Sequence, residues 1–565
     1  MTHSTAYRLR MDAPRRRRRD GWQAAAIVIA ALALLPLLAV VWTALQGSDV
    51  WRHVLINVLP QAAWNTACLL LGVGALSIAI GTGSAWLVTA YDFPGRNIMT
   101  WALLLPLAVP TYIVAYAYLD LLHPLGPLQS AIRTLLGMDS PRDLRLPDIR
   151  GLFGCTVLLG FVLYPYVYIT TRAMFMTQAA GLLEAARCLG VRQRSLFHRV
   201  ALPLARPAIA VGTALVLLET LNDIGASEFL GVQTLTVSVY TTWITRSDLP
   251  GAAQIALTML LLVLALIAVE RHGRRRQRYA STLRPRPIQA QPLRGASAWF
   301  ALALTALPVL IGFLMPTLFL ASEAWQRVAH GAGFSEQLRA SAWNTIRVAA
   351  LATLATVTAG LVLAWALRLA QARGPARWAG AALRISSLGY ALPGTVLAIG
   401  LLGPLAWFDD GANWLLHWLG IEPRMVLMGS LSALVIAYTL RFLTISAGGI
   451  DAGLSRISTS LDQAARGLGA PPSTMLRRIH LPLLRPALAA AALLVFVDTM
   501  KELPATLLLR PMNFETLATW LYADAARGAY EEGAVAALLI VLVGLLPVVL
   551  LALAGLKYGP QAAST

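Results

Sequence analysis

The sequence predicts an all-α integral membrane protein of about twelve transmembrane helices in two parallel six-helix repeats. Composition, the spacing of apolar runs and an internal duplication predict it. Of 565 residues, 57% are hydrophobic and 13% charged, and the mean hydropathy is +0.65. A soluble chain of this length needs more charge to cover its surface. Crossing a bilayer takes about 20 apolar residues. Twelve runs qualify: 22–45, 65–90, 98–122, 151–174, 205–226, 252–270, 298–322, 345–369, 379–403, 426–447, 485–507 and 534–556.

The net charge of +19 reflects topology. Arginines cluster at 15–19, at Arg192, Arg194 and Arg199, at 271–278, and at Arg477, Arg478 and Arg485. Basic loops stay in the cytoplasm, and these clusters alternate correctly if both termini are cytoplasmic. Arg133, Arg142, Arg145 and Arg150 fit less well, because their loop is expected outside; Asp139, Asp143 and Asp148 offset them locally. No basic patch lies on a soluble domain, which argues against nucleic-acid binding. Cys68, Cys155 and Cys188 are the only cysteines, too few and too scattered for a disulfide framework or a zinc site. The first apolar run is longer than a cleavable leader and lacks a small-residue cleavage site, so it is expected to be retained.

The duplication has one register. Trp64-Asn65-Thr66 returns as Trp343-Asn344-Thr345, Glu184-Ala185-Ala186-Arg187 as Gln463-Ala464-Ala465-Arg466, and Glu219-Thr220 as Asp498-Thr499, all three pairs at the same separation. Such self-similarity marks a repeated structural unit. A six-span unit is even-numbered, so both copies face the same way, unlike the inverted repeats of many secondary transporters. The expected organisation is a basic cytoplasmic tail (1–20), a first lobe (21–270), a basic linker rich in Arg, Pro and Gln (271–297), a second lobe (298–557) and a short tail (558–565).

Between the fourth and fifth spans of each lobe lies a polar segment. It reads Glu184-Ala185-Ala186, then Gly190, then Leu202-Pro203; its copy reads Gln463-Ala464-Ala465, then Gly469, then Leu481-Pro482. Alanine favours helix, and glycine ends one by adopting the left-handed conformation. Two short helices broken at Gly190 and Gly469 are therefore expected. The second starts near Ser195 or Ser473-Thr474, and Pro203 and Pro482 mark the turn into the next span.

This segment resembles the EAA motif of permeases in binding-protein-dependent ABC importers: Glu-Ala-Ala, three residues, Gly, nine residues, then Ile-x-Leu-Pro. The first lobe departs with Val200 for the isoleucine; the second keeps Ile479 and has Gln463 for the glutamate. The resemblance implies a type I importer fold in the bacterial inner membrane. It also implies that these two segments couple to two copies of a cytoplasmic ATPase, with a periplasmic binding protein supplying substrate. ATP and Mg would sit on the ATPase, with no cofactor on this chain. A P-loop needs Gly-Lys-Ser/Thr, whereas Met500 and Leu556 precede the two lysines here, Lys501 and Lys557. Gly81-Thr82-Gly83 lies in an apolar span and suits helix packing.

Tyr91-Asp92-Phe93-Pro94-Gly95-Arg96, Leu105-Pro106-Leu107-Ala108-Val109-Pro110 and Gly126-Pro127-Leu128-Gln129 are similar to strings in ferric-iron permeases. So are Lys501-Glu502-Leu503-Pro504-Ala505-Thr506 and Leu509 to Phe514. Ferric iron is thus the implied substrate; thiamine and 2-aminoethylphosphonate permeases share the duplicated plan. Glu219 and Asp223 lie four residues apart on one helix face, with Asp498 and Glu502 at the equivalent places. Ionisable groups inside a span face a cavity or a partner. These four either line the pathway, where carboxylates suit a hard cation, or form a hydrogen-bonded interface with Lys501 pairing to an acid. His198 and His480 read as solvated or capping side chains near a basic helix rather than metal ligands, and no firm metal site is expected. Arg172 and Arg441 read as snorkelling at the cytoplasmic ends of the fourth spans. An ion-driven secondary transporter gives no reason for two matching cytoplasmic motifs. A membrane enzyme would need convergent catalytic groups that the eight scattered histidines do not supply.

Overall fold

The computed structural model describes residues 21–49, 51–138, 140–178, 186, 193–275, 290–329, 335–372, 377–386, 388–422, 424–528 and 530–557. The protein is an all-α membrane protein. Among the described residues, ten helices are long and apolar enough to cross a bilayer. In the first lobe they are Gly21–Leu45, Trp51–Ala90, Leu152–Met176, Phe197–Asn222 and Leu249–Ala268. In the second they are Ala296–Ala329, Glu336–Gln371, Leu431–Ser455, Pro472–Met500 and Gly533–Leu550.

The two remaining runs, 98–122 and 379–403, are broken. Arg96–Ala108 and Thr111–Leu121 meet at 91°, and Arg377–Ser386 and Leu388–Ala391 precede helix Gly394–Trp418. Prolines cause both breaks. Each sits immediately before a helix, with Pro110 at φ −58, ψ 145 and Pro393 at φ −56, ψ 141. Proline pushes its predecessor out of the helical region, and Val109 is extended at φ −106, ψ 118.

After Asn222, the chain makes two short helices, Gly225–Phe229 and Leu235–Ile244, before the sixth span; the second lobe matches them with Pro504–Leu509 and Leu517–Arg527. These segments explain the Trp-Asn-Thr repeat. Asn65 Nδ2 donates to the Gln233 carbonyl at 3.1 Å, and Thr66 Oγ1 accepts from Leu235 N at 3.0 Å. Asn344 and Thr345 do the same for Glu515 and Leu517, at 3.1 and 2.8 Å. Thr234 and Thr516 cap the pinned helices, a service worth about 1 kcal/mol each.

The lobes exchange their first helices. Gly21–Leu45 packs on Gly394–Trp418 of the second lobe as well as on Leu249–Arg275 of its own. Backbone contact is close at Gly400, where an added Cβ would collide with the Pro36 carbonyl. In return, the π-turn Leu310–Leu314 of the second lobe's first helix abuts Leu152–Gln178, with Gly312 against the Phe161 carbonyl. Both large apolar cores draw residues from both lobes: one joins Val73, Ile113 and Leu159 to Leu521 and Val541, the other Val40 and Met259 to Leu397 and Val495. Outward-facing Leu71 and Leu354 remain exposed, as lipid contact requires. Gly81 sits against the backbone of Tyr164 and Tyr168, a close helix contact; Gly83 faces open space.

The linker region is partly helical: Leu249–Arg275 runs past the expected lobe boundary at 270. Residues 276–289 lie outside the described set. At its far end, Gln291–Pro292 pairs in parallel with Tyr91–Asp92, and Leu293 N donates to the Asp92 carbonyl at 2.8 Å. In the loop after the third run, Arg133 is buried in helix Pro127–Leu135, bonding the Pro124 carbonyl at 2.8 Å and Ser130 Oγ at 3.0 Å. Local carbonyl and hydroxyl oxygens thus accept from its guanidinium.

Candidate functional site

The four carboxylates singled out in the sequence share one cavity between the lobes. It has a volume of about 130 Å³, and Glu219, Asp223, Asp498 and Glu502 all line it. Helix Leu202–Asn222 carries Glu219 and helix Leu481–Met500 carries Asp498; Asp223 and Glu502 lie just past the helix ends, so the two acids of a pair do not share one helix face as the spacing predicted. Both helices end beside the cavity, so the acids stand at the turn into the short helices.

Asp223 and Glu502 are the deeper pair. Asp223 accepts from Thr111 Oγ1 at 2.5 Å, Ser227 N at 2.8 Å and Ser227 Oγ at 3.1 Å. Glu502 accepts from Ala505 N at 3.2 Å, Thr506 N at 3.3 Å and Thr506 Oγ1 at 3.1 Å. Each acid thus satisfies orphan N–H groups at the start of the next helix, holding its carboxylate still. Asp498 is more exposed and pairs with Lys501 Nζ at 2.8 Å. The acids thus line a cavity, and Asp223, Asp498 and Glu502 are also hydrogen-bonded or paired.

Arg441 corrects the sequence reading. It does not snorkel, because helix Leu431–Ser455 extends well beyond it and places it beside the cavity. Its Nη1 is 3.3 Å from Glu502 Oε1 and 3.3 Å from Asn222 Oδ1 of the first lobe, to which Gly394 N also donates at 2.7 Å. Gly394 leaves room for that guanidinium; a Cβ there would strike Arg441 and lie 2.7 Å from Glu502 Oε1. Tyr112 OH reaches across the interface to the Lys501 carbonyl at 3.4 Å. Sequence reasoning missed Arg441, Asn222, Gly394 and Thr111. An arginine inside the apolar run 426–447 was the available signal for the first.

A second pocket, of about 230 Å³, is lined by Arg150, Glu228, Phe229 and Tyr522. Tyr522 OH donates across the lobe interface to Glu228, and Phe229 stacks on Tyr522 at 5.5 Å. Burial raises the Glu228 carboxyl above its ordinary range, and the Tyr522 hydrogen bond lowers it in part.

The polar segment of the second lobe forms helix Thr459–Gly467, then Gly469 at φ +75, then a short turn Pro472–Met475. One face is held and the other is open: Asp462 and Ala465 are buried, while Gln463, Ala464 and Gly469 are exposed and Leu468 is 88% exposed. Gly469 has open space around it, so only its backbone conformation demands glycine. Gly469→Val is expected to cost at least about 1 kcal/mol and Gly469→Asn much less; melting curves of the detergent-purified protein check the order. Leu481 and Pro482 begin helix Leu481–Met500, but no turn intervenes. The helix runs unbroken from Pro472 to Met500, because the π-turn Leu476–His480 absorbs the backbone strain of the proline. In the first lobe, Leu202 and Pro203 follow the equivalent π-turn Phe197–Ala201. Ala186 is buried there; Glu184, Ala185 and Gly190 lie outside the described residues.

The histidines part ways. His198 is exposed, edge-on to Phe197 at 4.9 Å. His480 is not solvated: it is fully buried, with its ring 4.8 Å from Trp365 and Nε2 2.7 Å from Asp462 Oδ1. The unbroken helix carries it inward instead of leaving it in a loop.

Residues 75–279 and 356–555 each match the family described as "Binding-protein-dependent transport system inner membrane component". The chain is similar to the Fe(3+)-transport system permease protein FbpB 2 of Haemophilus influenzae, 25% identical over 545 residues, covering 95% of this chain and 98% of that protein. It is also similar to the putative 2-aminoethylphosphonate transport system permease protein PhnU of Salmonella choleraesuis, 30% identical over 266 residues, covering 43% and 88%. The molybdenum transport system permease protein ModB of Escherichia coli is 29% identical over 236 residues, covering 38% of this chain and all of that protein.

Proposed function

This chain belongs to the family of binding-protein-dependent transport system inner membrane components, and on that premise we propose that the cargo of this importer permease is ferric iron. The observation carrying the proposal is the charge of the cavity. Its wall holds four carboxylates, Glu219, Asp223, Asp498 and Glu502, against two cations, Arg441 and Lys501, so the formal balance favours a cation. Oxygen donors suit a hard cation, and an oxyanion such as molybdate would meet net repulsion. Four acids already engaged with N–H groups, hydroxyls and cations hold iron weakly, as passage requires.

The binding protein delivers iron to the mouth where Tyr522 and Glu228 meet, and the exposed face of Thr459–Gly467 docks on the ATPase with its first-lobe counterpart. Two ATPase copies, one per segment, close on ATP and bias the lobes between inward-open and outward-open states. The nucleotide chemistry belongs to that separate subunit. The arginine clusters support a cytoplasmic side for both termini.

Uptake of radioactive ferric iron by iron-starved cells tests this. The intact protein is expected to raise uptake over cells lacking it. The Gly190→Pro/Gly469→Pro double variant, at equal membrane level, is expected to lose that increment. Uptake of 2-aminoethylphosphonate or thiamine, with none of iron, overturns the cargo; full uptake by the variant overturns the docking role of the two segments.

A further inference from the structure

We propose that Asp462 is a positioning residue that keys the second lobe's docking helix to two spans at once. The inference rests on the docking of Thr459–Gly467 to the ATPase proposed above.

Asp462 points away from the exposed face and is 3% exposed. Its Oδ2 is 2.8 Å from Arg368 Nε, on helix Glu336–Gln371, and its Oδ1 is 2.7 Å from His480 Nε2, at the foot of the fifth span. Arg368 also ties down the chain leading into the docking helix, donating to the Leu454 carbonyl at 2.5 Å and the Ile457 carbonyl at 3.0 Å. Trp365 closes the far side of His480. A push on the docking helix therefore reaches helix Glu336–Gln371 through the Arg368 hydrogen bonds, which resist shear better than apolar packing because each has a preferred geometry, and reaches the fifth span through the close approach of Asp462 to the buried His480 ring.

In the register of the duplication, the first-lobe counterparts of Trp365, Arg368, Asp462 and His480 are Trp86, Thr89, Leu183 and Ala201. The tryptophan is shared and the ionisable groups are absent. Trp86 instead packs at 5.4 Å on each of Phe175 and Phe197. The acid that the motif loses at Gln463 thus has a neighbour one residue upstream, turned inward and put to a different use. The second-lobe arm is keyed by a buried ion pair, and the first-lobe sequence places no ionisable side chain at the matching four positions.

The test uses the full complex of permease, ATPase and iron-loaded binding protein in proteoliposomes. Spin labels are placed at Leu468→Cys on the docking helix and Leu354→Cys on helix Glu336–Gln371, with the native cysteines replaced. The unmutated arm is expected to give a narrow distance distribution with and without ATP. Asp462→Asn is expected to broaden it and to cut iron moved per ATP by about tenfold while the ATPase still co-purifies; Asp462→Glu restores much of both. An unchanged width in Asp462→Asn overturns the key. Loss of ATPase co-purification at unchanged width shows a docking contact instead, and also overturns it. If Asp462→Asn fails to accumulate, His480→Phe keeps the ring against Trp365 and removes the nitrogen facing Asp462; an unchanged width there is equally fatal. Failure of the iron reading shows separately, as no iron movement by the unmutated complex, and leaves the distance measurement intact.

Discussion

Arg441→Leu is expected to destabilise the protein by about 3–5 kcal/mol and to abolish iron uptake. The Glu502 side chain is 1% exposed and Arg441 is its ion-pair partner. Removing the arginine leaves a buried carboxylate with only the N–H groups and hydroxyl of its own short helix. It also removes the bond to Asn222, a polar tie between the lobes beside the cavity. Breaking a buried pair costs far more than replacing both members, because the survivor stays unsolvated. Arg441→Leu/Glu502→Leu is therefore expected to recover most of the lost stability. Melting of the purified protein, with uptake measured in parallel, checks both. Equal melting points for the single and double variants would show that the pair carries no such weight.

The second large effect is steric. Gly400→Leu is expected to lift the first helix off the second lobe. A Cβ at Gly400 meets the Pro36 carbonyl head-on and lies 2.9 Å from Val40 Cγ2, and neither backbone nor a buried valine can yield cheaply. Overpacking of this kind costs about 1–3 kcal/mol for modest insertions, and an entire isobutyl group against backbone exceeds that range. Gly411→Leu, on the same helix with nothing within 4 Å, is the matched control. Membrane yield and melting temperature are expected to fall in the first and hold in the second; equal behaviour would remove the crossing from the list of structural determinants.

Much of this architecture could be read from residues alone, and the misses have physical causes. Hydropathy found the apolar runs, but a window average cannot see that Pro110 and Pro393 turn the chain within two of them. The constant register of the duplication located the two polar segments and the paired acids. It could not show that Thr66 and Thr345 receive the N–H groups of Leu235 and Leu517, far along the chain from each. Arg441 was misjudged because the weakly apolar stretch 448–455, with Gly448, Gly449 and Asp451, set the end of the helix too early. His480 carried no local signal, since its burial depends on Arg368 and Trp365, on a helix three spans earlier in the chain. An acid directly before the altered motif was the one clue to Asp462. Exchange of the first helices has no counterpart in residue spacing.

That exchange sets a timetable for biogenesis. Helix Gly21–Leu45 leaves the ribosome about 350 residues before Gly394–Trp418, an interval of roughly 20–70 s at about 5–20 residues per second. Throughout it, the face destined for Gly400 meets only lipid or the insertion machinery. The nascent first half is thus an unfinished object, and so is a second half made alone. Fusing both into one polypeptide supplies each half with its complement in equal number, and keeps an orphaned half from meeting the membrane's proteases first.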